Sequence, residues 1–232
     1  MQDIDVNNWE ITTNRFVGFI DIMGFKDMVA RSSHEEIYVM MKKINDFQKF
    51  STSIKWNINE ENPQLVKTTT YSDSIMVYSL DGSNESLNSF ICTISALIHD
   101  LFAEGIPFKG SIAYGMMTID MERSIFFGQP LIDSYLLQEE MKFYGIIVHG
   151  TAQRIIENST GIPFYIPYLC PLKNGNSVHL TIAPIYWTVK GYEDRNRKLT
   201  NSLRKMRYKT SGSIRKYIDL TEEYLEIIKV KS

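Results

Sequence analysis

The stretch Arg15 to Ile22, R-F-V-G-F-I-D-I, constrains the fold of this chain more than any other. It is rich in β-branched and aromatic residues and predicts a buried strand, yet it carries a carboxylate, Asp21, at its end. A charge in that place needs a reason, because burying an unpaired carboxylate is costly. Gly24 then permits a tight turn, and Lys26 to Arg31 predicts a short helix. Ser32-Ser33 caps the next helix, His34 to about Ser53, where Ile37, Met40, Met41, Ile44, Phe47 and Phe50 recur at helical spacing as a core face.

Further along, Leu65 to Thr70 and Ser74 to Leu80 predict a strand pair around Tyr71-Ser72-Asp73, which places Asp73 at a turn. Ser83 to Ala103 predicts a long amphipathic helix on one sheet face, ended by Gly105-Ile106-Pro107. Strands follow at Phe108 to Ile119 and Ser124 to Phe127, then a helix from about Pro130 to Tyr144, a strand at Ile146 to His149 and a helix from Thr151 to Asn158. Ile162 to Cys170 and Val178 to Trp187 predict a hairpin turning at Lys173-Asn174-Gly175-Asn176, and two polar helices near 190–208 and 213–229 close the chain. The order of elements predicts an α+β sandwich with a mixed, mainly antiparallel sheet flanked by helices. No linker-like or low-complexity stretch divides it, so one domain is expected, with a core of about 15–187 and a helical tail.

Composition narrows the partners. With 25 basic against 27 acidic residues there is no polycationic surface for nucleic acid. No basic, apolar leader opens the sequence and no apolar run is expected to approach the roughly 20 residues needed to span a bilayer, so a soluble cytoplasmic protein is expected. Cys92 and Cys170 lie far apart among apolar residues and are expected to stay reduced. His34, His99, His149 and His179 form no close-spaced pair and receive no metal or acid–base role; Trp56, Trp187 and the tyrosines are read as core. The basic run from Arg195 to Arg207 is read as a solvated helix or a subunit contact.

Two carboxylates on adjacent strand ends can hold divalent ions, the usual aid to phosphoryl chemistry on a triphosphate. Antiparallel packing of the Asp73 hairpin beside the first strand would bring Asp21 and Asp73 together, with backbone N–H groups from Ile22 to Phe25 alongside as a phosphate cradle. Either aspartate taken singly reads more simply as a cap or a solvated turn residue.

Taken in order, the motifs resemble a known superfamily. Phe19-Ile20-Asp21-Ile22-Met23-Gly24-Phe25 resembles the F-x-D-I-x-G-F segment of class III nucleotidyl cyclases. Tyr71-Ser72-Asp73-Ser74 resembles their second metal-binding turn with Ser72 in place of glycine, and Phe108 to Gly115 resembles their R-x-G-I-x-x-G strand with Lys109 in place of arginine. The segment Phe127 to Glu139 is similar to that of the pyrimidine cyclases of bacterial Pycsar antiphage systems, and Gly212 to Tyr217 resembles the start of their C-terminal helix.

This resemblance implies an enzyme: a homodimeric cyclase using two divalent ions, Mn²⁺ or Mg²⁺, held by Asp21, Asp73 and the Ile22 backbone carbonyl. It implies substrate contacts at Phe19, Met23, Gly24, Phe25, Thr69 and Tyr71, and a product that signals to a separate effector. Purine cyclases read the base at the positions of Thr69 and Ile125; here neither offers a charge-assisted contact, and an unpaired polar edge against Ile125 would cost about 1–3 kcal/mol. That favours a pyrimidine, UTP ahead of CTP. The asparagine and arginine of purine cyclases fall on Ile132 and Leu136, unless the alignment slips by one to Asp133. Lys109 is then the first candidate for the cation that stabilises the transition state, ahead of Arg123 and Lys142. The alternatives are a catalytically silent nucleotide-binding module or an adenylate cyclase.

Overall fold

The structure, a computed structural model, describes residues 9–53, 64–159, 164–185 and 193–230. Its elements in chain order are β1 (Thr12–Ile22), α1 (Phe25–Arg31), α2 (His34–Ser53), β2 (Val66–Tyr71), β3 (Ser74–Ser79), α3 (Asn84–Ala103), β4 (Phe108–Asp120), β5 (Ile125–Gly128), α4 (Gln129–Glu140), β6 (Gly145–Val148), α5 (Gly150–Glu157), β7 (Tyr165–Leu172), β8 (Gly175–Ile182), α6 (Glu193–Lys209) and α7 (Gly212–Val230). The strands form one sheet of order β2-β3-β1-β4-β6-β8-β7, with β5 pairing β4 off this path. The β4–β6 pair is parallel and the others are antiparallel, as the mixed, mainly antiparallel expectation required.

The two-residue period of β1 sorts its side chains between two cores. Phe16, Ile20 and Ile22 enter the main core with Phe90, Ile94 and Ile98 of α3. Val17 faces the other way, into a smaller cluster with Trp9, Tyr78, Met117 and Ile119. Phe19 and Asp21 share the parity of Val17 and therefore lie on this second face, where α4 packs against β1 and β4.

Helix α3 starts where Ser83 caps it, the side chain accepting a hydrogen bond from the Ser86 N–H. Sixteen of its 20 residues are buried, because α2 and α6 cover the side turned away from the sheet. Glu104, just past its end, ties the three helices by accepting from Lys43 at 2.7 Å and Lys198 at 2.6 Å. Among the described residues α3 is the one helix long and apolar enough to cross a bilayer, contrary to the sequence reading, but 89% of that stretch is buried inside the fold. Cys92 and Cys170 are buried and unpaired.

Two boundaries differ from expectation. The helix predicted to run to Tyr144 stops at Glu140, because Met141 is extended (φ −68°, ψ 141°) and bridges to Leu172. Met141, Phe143 and Tyr144 are spent on the core instead of on another helical turn. The last hairpin shifts as well: Leu172 pairs with Gly175, so Lys173 and Asn174 alone make the turn. The outer ends of that predicted hairpin, together with Trp56 and Trp187, lie outside the described residues.

Candidate active site

Strand pairing brings Asp21, Asp73 and Lys109 to one sheet end. Asp21 lies opposite Ser74 of β3 on one side and opposite Lys109 of β4 on the other. The Ile22 N–H donates to the Asp73 carbonyl at 2.9 Å, which docks the β2–β3 turn onto the end of β1. That turn has two residues, Ser72 and Asp73, and Ser72 sits at φ +55°. This left-handed backbone is natural to glycine and costly for other residues, so the glycine found there in the resembled family has a steric reason.

Electrostatics mark Asp21 as the unusual member. Its carboxyl is pushed up to about 6, first by burial and then by the neighbouring Asp73 carboxylate, with Glu139 adding to the rise and Lys109 opposing it. Lys109 is only 5% exposed, and its ammonium lies 3.1 Å from Glu139 Oε1 in the last turn of α4. Lys173, from the β7–β8 turn, reaches the other oxygen of Glu139 at 3.6 Å, and Gln138 Nε2 donates to Oε1 at 3.0 Å. Burial pushes the Glu139 carboxyl up, but these donors and charges outweigh it and leave the group below its ordinary value.

Glu139 and Lys173 were missed in the sequence. Glu139 stands within a family-like segment but was not singled out, and Lys173 read only as part of a polar turn. No local pattern could show that α4 and the distant hairpin end beside β4.

Hard divalent ions suit this donor set. Among the described residues no group of three or more His, Cys, Asp or Glu side chains converges, so any ion here rests on two carboxylates and on oxygens from elsewhere. That is the ordinary style of Mg²⁺, which takes one or two carboxylates plus substrate phosphates. In a strand the N–H and C=O of one residue point to the same side, so the Ile22 carbonyl faces the Asp73 turn as its N–H does. Two neighbouring carboxylates, of which Asp73 helps to raise the carboxyl of Asp21, fit a cation.

The phosphate cradle is narrower than expected. The Ile22 and Met23 N–H groups are spent on the carbonyls of Asp73 and Pro107, both at 2.9 Å, so only amides from Gly24 onward can serve. Gly24 itself caps α1 at φ +75°. Met23 and Phe25 pack against the main core as well as flanking this turn. Phe19 meets the Tyr135 ring edge-on at 5.4 Å between centroids.

Thr69 pairs with Met76, and Tyr71 pairs with Ser74 and is largely exposed. Phe126, whose ring stacks on Tyr78 at 6.1 Å, lies on the same sheet face as Asp21, so the neighbouring Ile125 turns to the opposite face and is partly exposed. Met76, opposite Thr69, packs against the smaller cluster, but the buried Lys67 lies two residues away on the same strand face over the Trp9 ring, and Ile125 pairs with Asp120, which holds Arg123.

Three of the weaker candidates are engaged elsewhere. Arg123 pairs with Asp120 in its own turn at 2.8 Å. Lys142 donates to the Lys173 carbonyl at 3.1 Å and so braces the hairpin. Asp133 accepts from Gln129 at 2.8 Å and lies 3.9 Å from His149, facing the start of α5. His149 caps α5 by accepting from the Thr151 N–H. Ile132 and Leu136 are exposed on the outer face of α4.

No protein-family model matches the chain, and no curated protein does. Solved structures do. The catalytic core of a rhodopsin-guanylyl cyclase with converted specificity, in complex with ATPαS, aligns at a TM-score of 0.51 and 14% identity, covering 74% of this chain and 96% of that one. The guanylate cyclase domain of RhGC from Catenaria anguillulae, in complex with GTP, aligns at 0.50 and 14%, covering 74% and 97%. The strand pairing that sets Asp21 beside Asp73 and Lys109 is thus built on the class III cyclase-like α+β fold.

Proposed function

We propose that this protein is a nucleotidyl cyclase that converts a pyrimidine nucleoside triphosphate, UTP ahead of CTP, into its 3′,5′-cyclic nucleotide and pyrophosphate. The observation that carries the reading is the register that sets Asp21 between Ser74 and Lys109 while Asp73 is tied to Ile22. Asp21, Asp73 and the Ile22 carbonyl would hold two divalent ions, Mn²⁺ or Mg²⁺. When bound, these ions supply Lewis-acid activation of the ribose hydroxyl and neutralise charge on the phosphates.

The ribose 3′-oxygen attacks the α-phosphorus, the bond to the bridging oxygen of pyrophosphate breaks, and the hydroxyl proton passes to solvent water. Lys109, fixed on β4 and almost wholly buried, places an ammonium beside this centre, where a preorganised charge is worth more than in water. Gly24 and Phe25 would offer amides to the phosphates, and the buried Phe19 and the exposed Tyr71 are the further candidate substrate contacts.

Pyrimidine preference rests on Thr69 and Ile125 themselves, neither of which carries a charge that could read a purine edge. A homodimer accompanies the reading. Ile132, Tyr135 and Leu136 of α4, with Phe127 and Met116, present exposed apolar side chains on elements next to the site, a composition suited to a second copy. A cytoplasmic enzyme whose product acts on a separate effector in antiphage defence completes the proposal.

Purified protein incubated with each of the four NTPs and Mn²⁺ tests it. Cyclic UMP, or cyclic CMP, as the main product is expected. Dominant cyclic AMP would overturn the base assignment, and nucleotide binding without any cyclic product would point to a silent regulatory module.

A further inference from the structure

The Glu139 carboxylate occupies the place of an anion between two cations. Lys109 approaches one oxygen at 3.1 Å and Lys173 the other at 3.6 Å. The two are anchored differently, the Lys109 side chain being buried and that of Lys173 46% exposed on an anchored backbone. Lys109 is held within the sheet beside Asp21, and the Lys173 backbone N–H donates to the Glu140 carbonyl at 2.8 Å while its own carbonyl accepts from Lys142. The Lys142 N–H is in turn fixed to the Pro171 carbonyl at 3.0 Å.

Glu139 is the adaptable partner. It lies one residue from the end of α4, and its side chain is 41% exposed against 6% for that of Lys109. A buried ammonium cannot be left uncompensated, whereas an exposed carboxylate leaves its ion pair at little cost. Two cations converging on one anion beside a proposed metal site make a place that polyphosphate oxygens can take.

We propose that Lys109 and Lys173 form an anion subsite that Glu139 fills in the resting protein and vacates when the polyphosphate of the substrate enters. Glu139 is then a positioning residue. It holds Lys109 in place while the site is empty, and it competes with substrate and with product pyrophosphate. The inference rests on the cyclase reading for the identity of the natural ligand, and on this geometry alone for the subsite. The competition lowers apparent affinity by the fraction of molecules in which Glu139 holds the lysines.

Calorimetric titration of inorganic tripolyphosphate into wild type, Glu139→Gln and Lys173→Met, in the presence of Mn²⁺, tests this without turnover. Glu139→Gln should bind about 3- to 10-fold more tightly than wild type, and its KM for the preferred NTP should fall by a similar factor with a smaller change in kcat. Lys173→Met should bind about tenfold more weakly. Equal or weaker binding by Glu139→Gln would overturn the proposal, as would wild-type affinity in Lys173→Met. Should Glu139→Gln fail to fold, Lys173→Met decides alone, since its side chain is exposed at a turn. If wild type cyclises no nucleotide yet Glu139→Gln still tightens on tripolyphosphate, the cyclase reading falls and the subsite stands.

Discussion

Asp21 is a carboxylate that the fold does not want charged when nothing is bound. Its folded-state value of about 6 lies above the ordinary 3.8, so the folded protein holds this proton more tightly than the unfolded chain. Stability from this group is therefore fully present below about pH 4 and is lost as pH rises through about 6. Asp21→Asn removes that loss. In EDTA at pH 7 the variant should melt above wild type, with the gap closing toward pH 4, and Mn²⁺ should raise the wild-type Tm but not that of the variant. Equal Tm values across this range would contradict the placement. Ser72 allows a second test, because its φ of +55° disfavours any side chain and a β-branched one most. Ser72→Val should lose about 1–2 kcal/mol in denaturant unfolding, whereas Ser72→Gly should fold as well as wild type.

At the scale of elements, the site depends on how closely β4 lies against β1. A Cβ on Gly110 would meet the Phe19 carbonyl oxygen at 2.5 Å and Ile146 Cδ1 at 2.7 Å, so even alanine would push β4 off its neighbours and draw Lys109 away from Asp21. Gly110→Ala should cost about 1–3 kcal/mol and lower turnover more than the stability loss explains, as thermal melts beside activity at a temperature where the variant is folded would measure. Much of this layout was legible in the sequence. The end of β1 and the spans of α2 and α3 follow from β-branched runs, helical stripes and the Ser83 cap, signals within the elements themselves, although β1 begins at Thr12 rather than Arg15 and Phe50 of the α2 stripe is exposed. What escaped was non-local. Met141 leaves the helix because Leu172 of β7 pairs with it, and the Glu139–Lys173 contact joins two elements that no short-range pattern relates.

For the whole molecule, the second sheet face is covered only in part by α4, whose outer side carries Ile132, Tyr135 and Leu136 into solvent in a single chain. If a second copy covers this side, Leu136→Glu should yield a folded monomer by light scattering, with turnover reduced at least about tenfold; a dimer with wild-type activity would contradict that arrangement. Helix α4 thus links the sites at both scales, with Glu139 turned to Lys109 and Leu136 turned outward. Asp73 remains the point on which the account turns, because its backbone docks the hairpin and its carboxylate is free to serve chemistry. Asp73→Asn keeps the carbonyl that accepts from Ile22, so the fold should persist. The most direct measurement is Mn²⁺-dependent formation of cyclic pyrimidine nucleotide by this variant beside wild type. A loss of at least about 100-fold with an unchanged Tm is the predicted result, and turnover retained near the wild-type rate would contradict the two-carboxylate site.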